Sequence, residues 1–229
     1  MLPRFLLVLC LSLSSTVLAM SPPPRAVLVP VLDDRPRNVA HDNESLRASV
    51  AAYLNKDSEP DAYAAVRSSY GDISSWDTSS VGDFSSLFRD APTFTADLSR
   101  WDTSSVTNMG AMFWGAAAFN SDLSKWDTGK VTNMGGTFIH AAAFNSDLSK
   151  WDTSKVTNLS SMFRDATSFD ANLSKWDTSS ANNLHGVFFN AKAFKGDLKG
   201  WDTSGISEEE RAQWEEENRE RVERFAEEL

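Results

Sequence analysis

Two acidic columns recur in this sequence every 25 residues. Asp77, Asp102, Asp127, Asp152, Asp177 and Asp202 form one; Asp97, Asp122, Asp147, Asn172 and Asp197 form the other. Carboxylates at a fixed interval could hold calcium, but calcium needs six to eight oxygens converging on one point. The glycine-rich nonapeptide of calcium-binding repeats is also absent. The columns read instead as turn builders, with Asp and Thr side chains capping the backbone before the Val-Thr-Asn-Met turn. A basic column, Arg100, Lys125, Lys150 and Lys175, stands just before each Trp. It is expected to pair with neighbouring Asp on a solvated face rather than to bind an anion. For catalysis little converges. His41, His140 and His185 occupy different repeat positions, Cys10 is the single cysteine, and no phosphate loop or nucleophile elbow occurs. Neither an enzyme, a metal site nor a cofactor is expected.

The residue after each repeat Phe varies in an otherwise regular frame: Arg89, Trp114, Ile139, Arg164 and Phe189. Three of these five are large and apolar. They either pack under the flanking loop or form an exposed stripe, and exposed apolar patches mark interaction sites. This column is the candidate ligand-binding surface. Three sequons, at Asn43, Asn158 and Asn172, could accept N-glycans in a eukaryotic secretory route. A ladder of Thr from Thr78 to Thr203 raises ice binding as a remote alternative, without the flat Thr-x-Thr pairing that such a surface wants.

These columns need a frame. Trp76, Trp101, Trp126, Trp151, Trp176 and Trp201 open five full units and a truncated sixth, over residues 76–204. Self-similarity at such a period marks a stacked repeat. Val, Met, Phe and Leu columns recur beside the Trp, notably Phe88, Phe113, Phe138, Phe163 and Phe188. One unit cannot enclose a core, whereas stacked units set each aromatic on its own copies. Val106–Phe113 has the spacing of a short helix or 3₁₀ turn. The Asp-Leu-Ser before each Trp suits one short strand per coil in a parallel ladder. Residues 43–75 should form an N-terminal helical cap, with Asp42 or Asn43 capping one helix and Pro60 opening another that ends at Tyr70-Gly71. Residues 205–229 should form an acidic capping helix opened by a Ser207–Glu210 capping box. Trp214 is its expected docking residue, on a stripe with Val222, Phe225 and Leu229.

The phrase Phe-Asn-Ser-Asp-Leu-Ser-Lys-Trp-Asp-Thr-Ser, followed by Val-Thr-Asn and Met-Phe, as in residues 144–163, resembles the 25-residue repeat of BspA-like leucine-rich-repeat surface proteins. The likeness covers residues 76–204. It departs at Gly82-Asp83-Phe84, Thr137 and Ala181. It implies an α/β repeat solenoid, a right-handed leucine-rich-repeat-like stack with one strand and one short helix or 3₁₀ turn per coil. It also implies surface display, with adhesion or protein contact as the role.

The N-terminus adds an export signal. Arg4, the apolar run Phe5–Leu13 and Val17-Leu18-Ala19 fit a signal peptide over residues 1–19. The run is too short for a bilayer span, so no stable membrane insertion is expected after cleavage. A Pro-rich leader follows at 20–42. The net charge of −10 argues against nucleic acid. Much of that charge sits after Ser207, where ten Glu face four Arg. The function expected is extracellular recognition or adhesion towards a protein or glycan. A structural matrix or wall component without a specific ligand is the alternative.

Overall fold

The computed structural model describes residues 40–227, within the unit Leu32–Leu229. The signal-peptide assignment and nearly all of the Pro-rich leader lie outside the described residues. So do the side chains of Val222, Phe225 and Leu229.

Helix α1 spans Asn43–Leu54 and is opened by a full capping box. Ser45 N donates to Asp42 Oδ1 at 2.7 Å, and Asp42 N donates to Ser45 Oγ at 2.9 Å. Helix α2, Pro60–Tyr70, begins with Pro in its first turn, where no N–H is needed, and stops at Gly71 with φ 77°. A 3₁₀ turn at Ile73–Ser75 leads into the repeats, and α3, Glu208–Glu227, follows them.

The expected α/β solenoid is corrected by what lies between. Among the described residues there is no strand. Parallel pairing consists of isolated bridges joining Asp83, Asn108, Asn133, Asn158 and Asn183 in succession. Nor does a helix form in any repeat. The physical reason is how each coil uses its backbone. From Met109 to Gly115 alternate N–H groups point to the next coil: Met109, Ala111, Phe113 and Gly115 donate to the carbonyls of Asn133, Gly135, Thr137 and Ile139 at 2.8–2.9 Å. The N–H groups between them turn inward, Met112 to Met109 O and Trp114 to Ala111 O, both at 3.2 Å. Ala111 and Gly115 take the left-handed conformation, at φ 55° and 74°. A right-handed helix cannot pass through such residues, and an extended strand cannot close i→i+3 turns. The ribbon is therefore a chain of linked turns stacked coil on coil.

The Asp-Leu-Ser stretch is satisfied by side chains instead of a ladder. Leu98 N and Leu123 N each donate to a buried Ser Oγ of the next coil, Ser121 and Ser146, at 2.9 Å. The Leu carbonyl accepts from the next Trp but one in sequence, as in Trp126 Nε1 to Leu98 O at 3.1 Å and Trp151 Nε1 to Leu123 O at 3.0 Å.

Inside, the columns form continuous aromatic stacks. Trp126, Trp151 and Trp176 lie nearly parallel at 6.3–6.4 Å. Phe138 is set 5.5 Å from Phe113, 5.7 Å from Phe163 and 3.8 Å from Phe144 of its own coil. Truncating one such ring removes contacts on several sides, at a cost of about 3–5 kcal/mol.

Each end of the stack leaves backbone groups that the next coil would have taken. At the first coil, α1 supplies substitutes. Arg47 donates to the carbonyls of Ser85 and Asp83, and Asn43 Oδ1 accepts from Gly82 N and Asp83 N. At the last coil, Glu210 Oε1 accepts from Leu184 N at 2.5 Å. The Ser207–Glu210 capping box is consequently half formed: Glu210 N donates to Ser207 Oγ at 3.1 Å, while the carboxylate is spent on the coil. Trp214 stacks on Trp201 at 5.4 Å.

Candidate interaction stripe

In each coil the core Phe points inward and the following residue sits just before a left-handed position, which turns its side chain to the outer surface. Arg89, Trp114, Ile139, Arg164 and Phe189 therefore form one line along the stack. The structure splits them by environment. Arg89 and Phe189 are exposed, the latter at 48 %, Trp114 and Arg164 are half-buried, and Ile139 is buried. Ile139 is covered because it folds over Gly136, where an added Cβ would come within 3.0 Å of Ile139 Cδ1.

Two arginines lie on aromatic rings of the coil that follows. The Arg89 guanidinium is 4.3 Å from the Trp114 ring centre, and that of Arg164 is 4.4 Å from Phe189. The next residue pins each one: Arg89 Nε is 3.5 Å from Asp90 Oδ2, and Arg164 Nε is 3.5 Å from Asp165 Oδ2. Asp165 is itself held by Asn190 Nδ2 at 2.5 Å, and His140 Nδ1 stands 3.5 Å from its other oxygen. Each cation–π contact contributes about 0.5–1 kcal/mol at an exposed site. Its larger consequence is order, since long side chains that would otherwise sample many rotamers are held in one arrangement. The Asp partners were not singled out from the sequence, although Arg89-Asp90 and Arg164-Asp165 repeat as a dipeptide.

The acidic columns sit in turns. Asp102 Oδ1 accepts from Ser104 N at 2.9 Å, and Asp122 Oδ1 from Ser124 N at 2.9 Å. The hydroxyl and N–H of Ser124 hold Asp122 below the usual carboxylate range, and Lys125 adds a smaller pull. Among the described residues no group of three or more His, Cys, Asp or Glu is placed to share a metal ion. The Thr ladder is turned inward over most of its length: Thr78, Thr103, Thr128, Thr153 and Thr178 are buried and donate to the Asp carbonyls of the next coil. It offers no outer surface to ice.

The three sequons occupy different settings. Asn172 is exposed, its Oδ1 accepting from Ser174 N. Asn43 caps the first coil. Asn158 belongs to a ladder not read from the sequence, in which Asn133 Nδ2 donates to Asn108 Oδ1 at 2.9 Å and Asn158 Nδ2 to Asn133 Oδ1 at 3.0 Å. Each Oδ1 also accepts a backbone N–H two residues on. The signal was an Asn recurring at one repeat position, hidden because Asn is common in turns.

Comparison with known proteins gives one result. A search of curated proteins found no match, and a search of solved structures found none. One family matches twice, over residues 60–150 and 122–221, so that its repeats span most of the chain. The chain belongs to the family described as Mycoplasma protein of unknown function, DUF285.

Proposed function

We propose that this chain is a non-enzymatic, secreted or surface-displayed repeat protein that recognises an extracellular ligand through the stripe from Arg89 to Phe189. The observation that carries the reading is the pair of arginines pinned by Asp90 and Asp165 over Trp114 and Phe189. The column from Arg89 to Phe189 is one of several that vary in a regular frame, alongside Thr95, Asn120, Asn145, Asp170 and Lys195. It is the one that carries large aromatic and Arg side chains, the types that dominate binding energy. The export signal read at residues 1–19 supports the extracellular setting, as does the resemblance of the repeat phrase to BspA-like surface proteins.

A protein ligand fits better than a glycan. Sugars stack on open aromatic faces, and here an arginine already lies over one face of Trp114 and of Phe189. The test is an array of extracellular proteins and glycans probed with the wild-type chain and with a Trp114→Ala/Ile139→Ala variant. Binding to a protein that falls at least about tenfold in the variant is expected, about 1.4 kcal/mol. Absence of any ligand, or equal binding by the variant, would sink the reading and leave the structural-component alternative.

A further inference from the structure

The two ends of the stack are complementary in three independent respects. The first is backbone polarity. Within the stack, Phe88 N and Asp90 N donate to Met112 O and Trp114 O, and the same positions are joined at every later step. At the first coil the corresponding acceptors are Leu87 O and Arg89 O; at the last, the corresponding donors are Phe188 N and Asn190 N. Arg47 covers the acceptors of Asp83 and Ser85, and Glu210 covers the donor of Leu184. Among the described residues no bond is made to the other four. At these positions the first coil presents acceptors and the last coil donors, while elsewhere on the first coil Gly82 N and Asp83 N are donors taken by Asn43.

The second respect is apolar exposure. Among the described residues the exposed large hydrophobic side chains are Leu54 and Phe189. Each lines a cleft at a different end. Leu54, with Lys56 and Arg89, borders a cleft of about 660 Å³ between the end of α1 and the first coil. Phe189, with Glu217 and Glu220, borders one of about 510 Å³ between the last coil and α3. The third respect is charge. The first cleft is lined by Arg47, Lys56 and Arg89; Arg47 is paired with Asp83 and Arg89 with Asp90, so Lys56 is the cation of this lining that makes no salt bridge among the described residues. The second is lined by Glu217 and Glu220 against a single cation, Arg221. Glu217 is half-buried and makes no salt bridge among the described residues, and burial raises its pKa.

From this complementarity we infer that copies of the chain pair head to tail, the α1 cleft of one copy seated on the α3 cleft of the next. The occupant of each cleft is a second copy. Helices α1 and α3 lie across the ends, so the ladder does not run through the junction; the helices and cleft rims meet instead, with Lys56 set against Glu217. Such a contact joins two different surfaces, so it propagates from copy to copy instead of stopping at a two-fold dimer. The stripe proposed above reaches the two clefts at its ends, through Arg89 and Phe189, so pairing would set the stripes of successive copies end to end and raise avidity.

Sedimentation velocity of the wild-type chain from micromolar to millimolar concentration reads this directly. A mass that rises with concentration is expected. Lys56→Glu and Glu217→Lys should each abolish the rise, with unchanged circular dichroism. A 1:1 mixture of the two variants, or the double variant, should restore it, because one swapped end then meets the other. Leu54→Ser gives a weakened rise without altering charge. A monomeric wild type at all concentrations, association untouched by either variant, or failure of the mixture to regain it would each overturn the inference. Lys56→Glu changes no residue of the stripe and should bind ligand as wild type while losing the rise in mass, so loss of ligand binding and loss of pairing are separately readable.

Discussion

His41 is fully buried, 4.0 Å from the Tyr70 ring and 5.0 Å from Trp76, and neither ring nitrogen has a hydrogen-bond partner among the described residues. Burial pushes its pKa from 6.5 down to about 4, against the opposing pull of Asp42 and Asp77. The folded state therefore favours the neutral ring. Its stabilising contribution is complete above pH 6.5 and is lost as pH falls from 6.5 towards about 4. Urea unfolding across that range should show a loss on the order of 3 kcal/mol, and His41→Phe should flatten the profile; an unchanged midpoint for the wild type would contradict the assignment. Asn158 supports a second expectation. Glycosylation would replace one hydrogen of the Nδ2 that donates to Asn133 and set a sugar at the ladder between stacked coils. In a eukaryotic secretory host, peptide mapping should find the glycan at Asn172 and Asn158 bare. At this scale the Asp turn role was legible, since those side chains act on backbone two residues away; the Thr side chains, expected to cap the same turns, instead donate to the Asp carbonyls of the next coil. The orphaned ring of His41 was not legible, because its surroundings come from α2 and the first coil, far along the chain.

At the scale of elements, the terminal helices act by replacing the missing neighbour of a coil. Glu210 stands where the next coil's Asn carbonyl would be, and Asn43 Oδ1 where the preceding coil's carbonyl would be. Removing the carboxylate in Glu210→Ala leaves Leu184 N unpaired, at a cost of about 1–3 kcal/mol. Hydrogen exchange should then accelerate at Leu184 and through α3 while the coils from Trp101 to Trp151 keep their protection. Uniform acceleration throughout would show that α3 and the stack unfold together. Helices α1, α2 and α3 could be read from capping residues and charge patterns. Inside the repeats the same reading failed. Apolar spacing at Val106–Phe113 fits a helix, but non-glycine residues such as Ala111 and Ser161 take φ above 50° there. No residue type announces that, and only the pull of the next coil's carbonyls holds it.

For the whole molecule, stability is a sum over coil-to-coil contacts, so the same substitution should cost more in the middle than at an end. Asn133 joins coils on both sides through its amide, whereas Asn183 lies in the last coil. Asn133→Ala should destabilise by about 2–3 kcal/mol in urea and Asn183→Ala by about 1 kcal/mol or less; equal costs would deny the additive picture. By itself the sequence determined the period, most of the core columns and the positions of the terminal helices, although the buried column of Leu87, Met112, Thr137, Met162 and Val187 was not read as one. Those properties follow from hydrophobic spacing and local capping, which are written in neighbouring residues. Only the tertiary structure decided how the backbone between the columns runs. Whether an N–H bonds within its own coil or across to the next depends on a partner some 25 residues away, and that choice replaced the expected strand with linked turns. The same long-range contact laid Arg89 and Arg164 over rings of the following coil, while Ile139 was hidden by folding over Gly136 of its own coil.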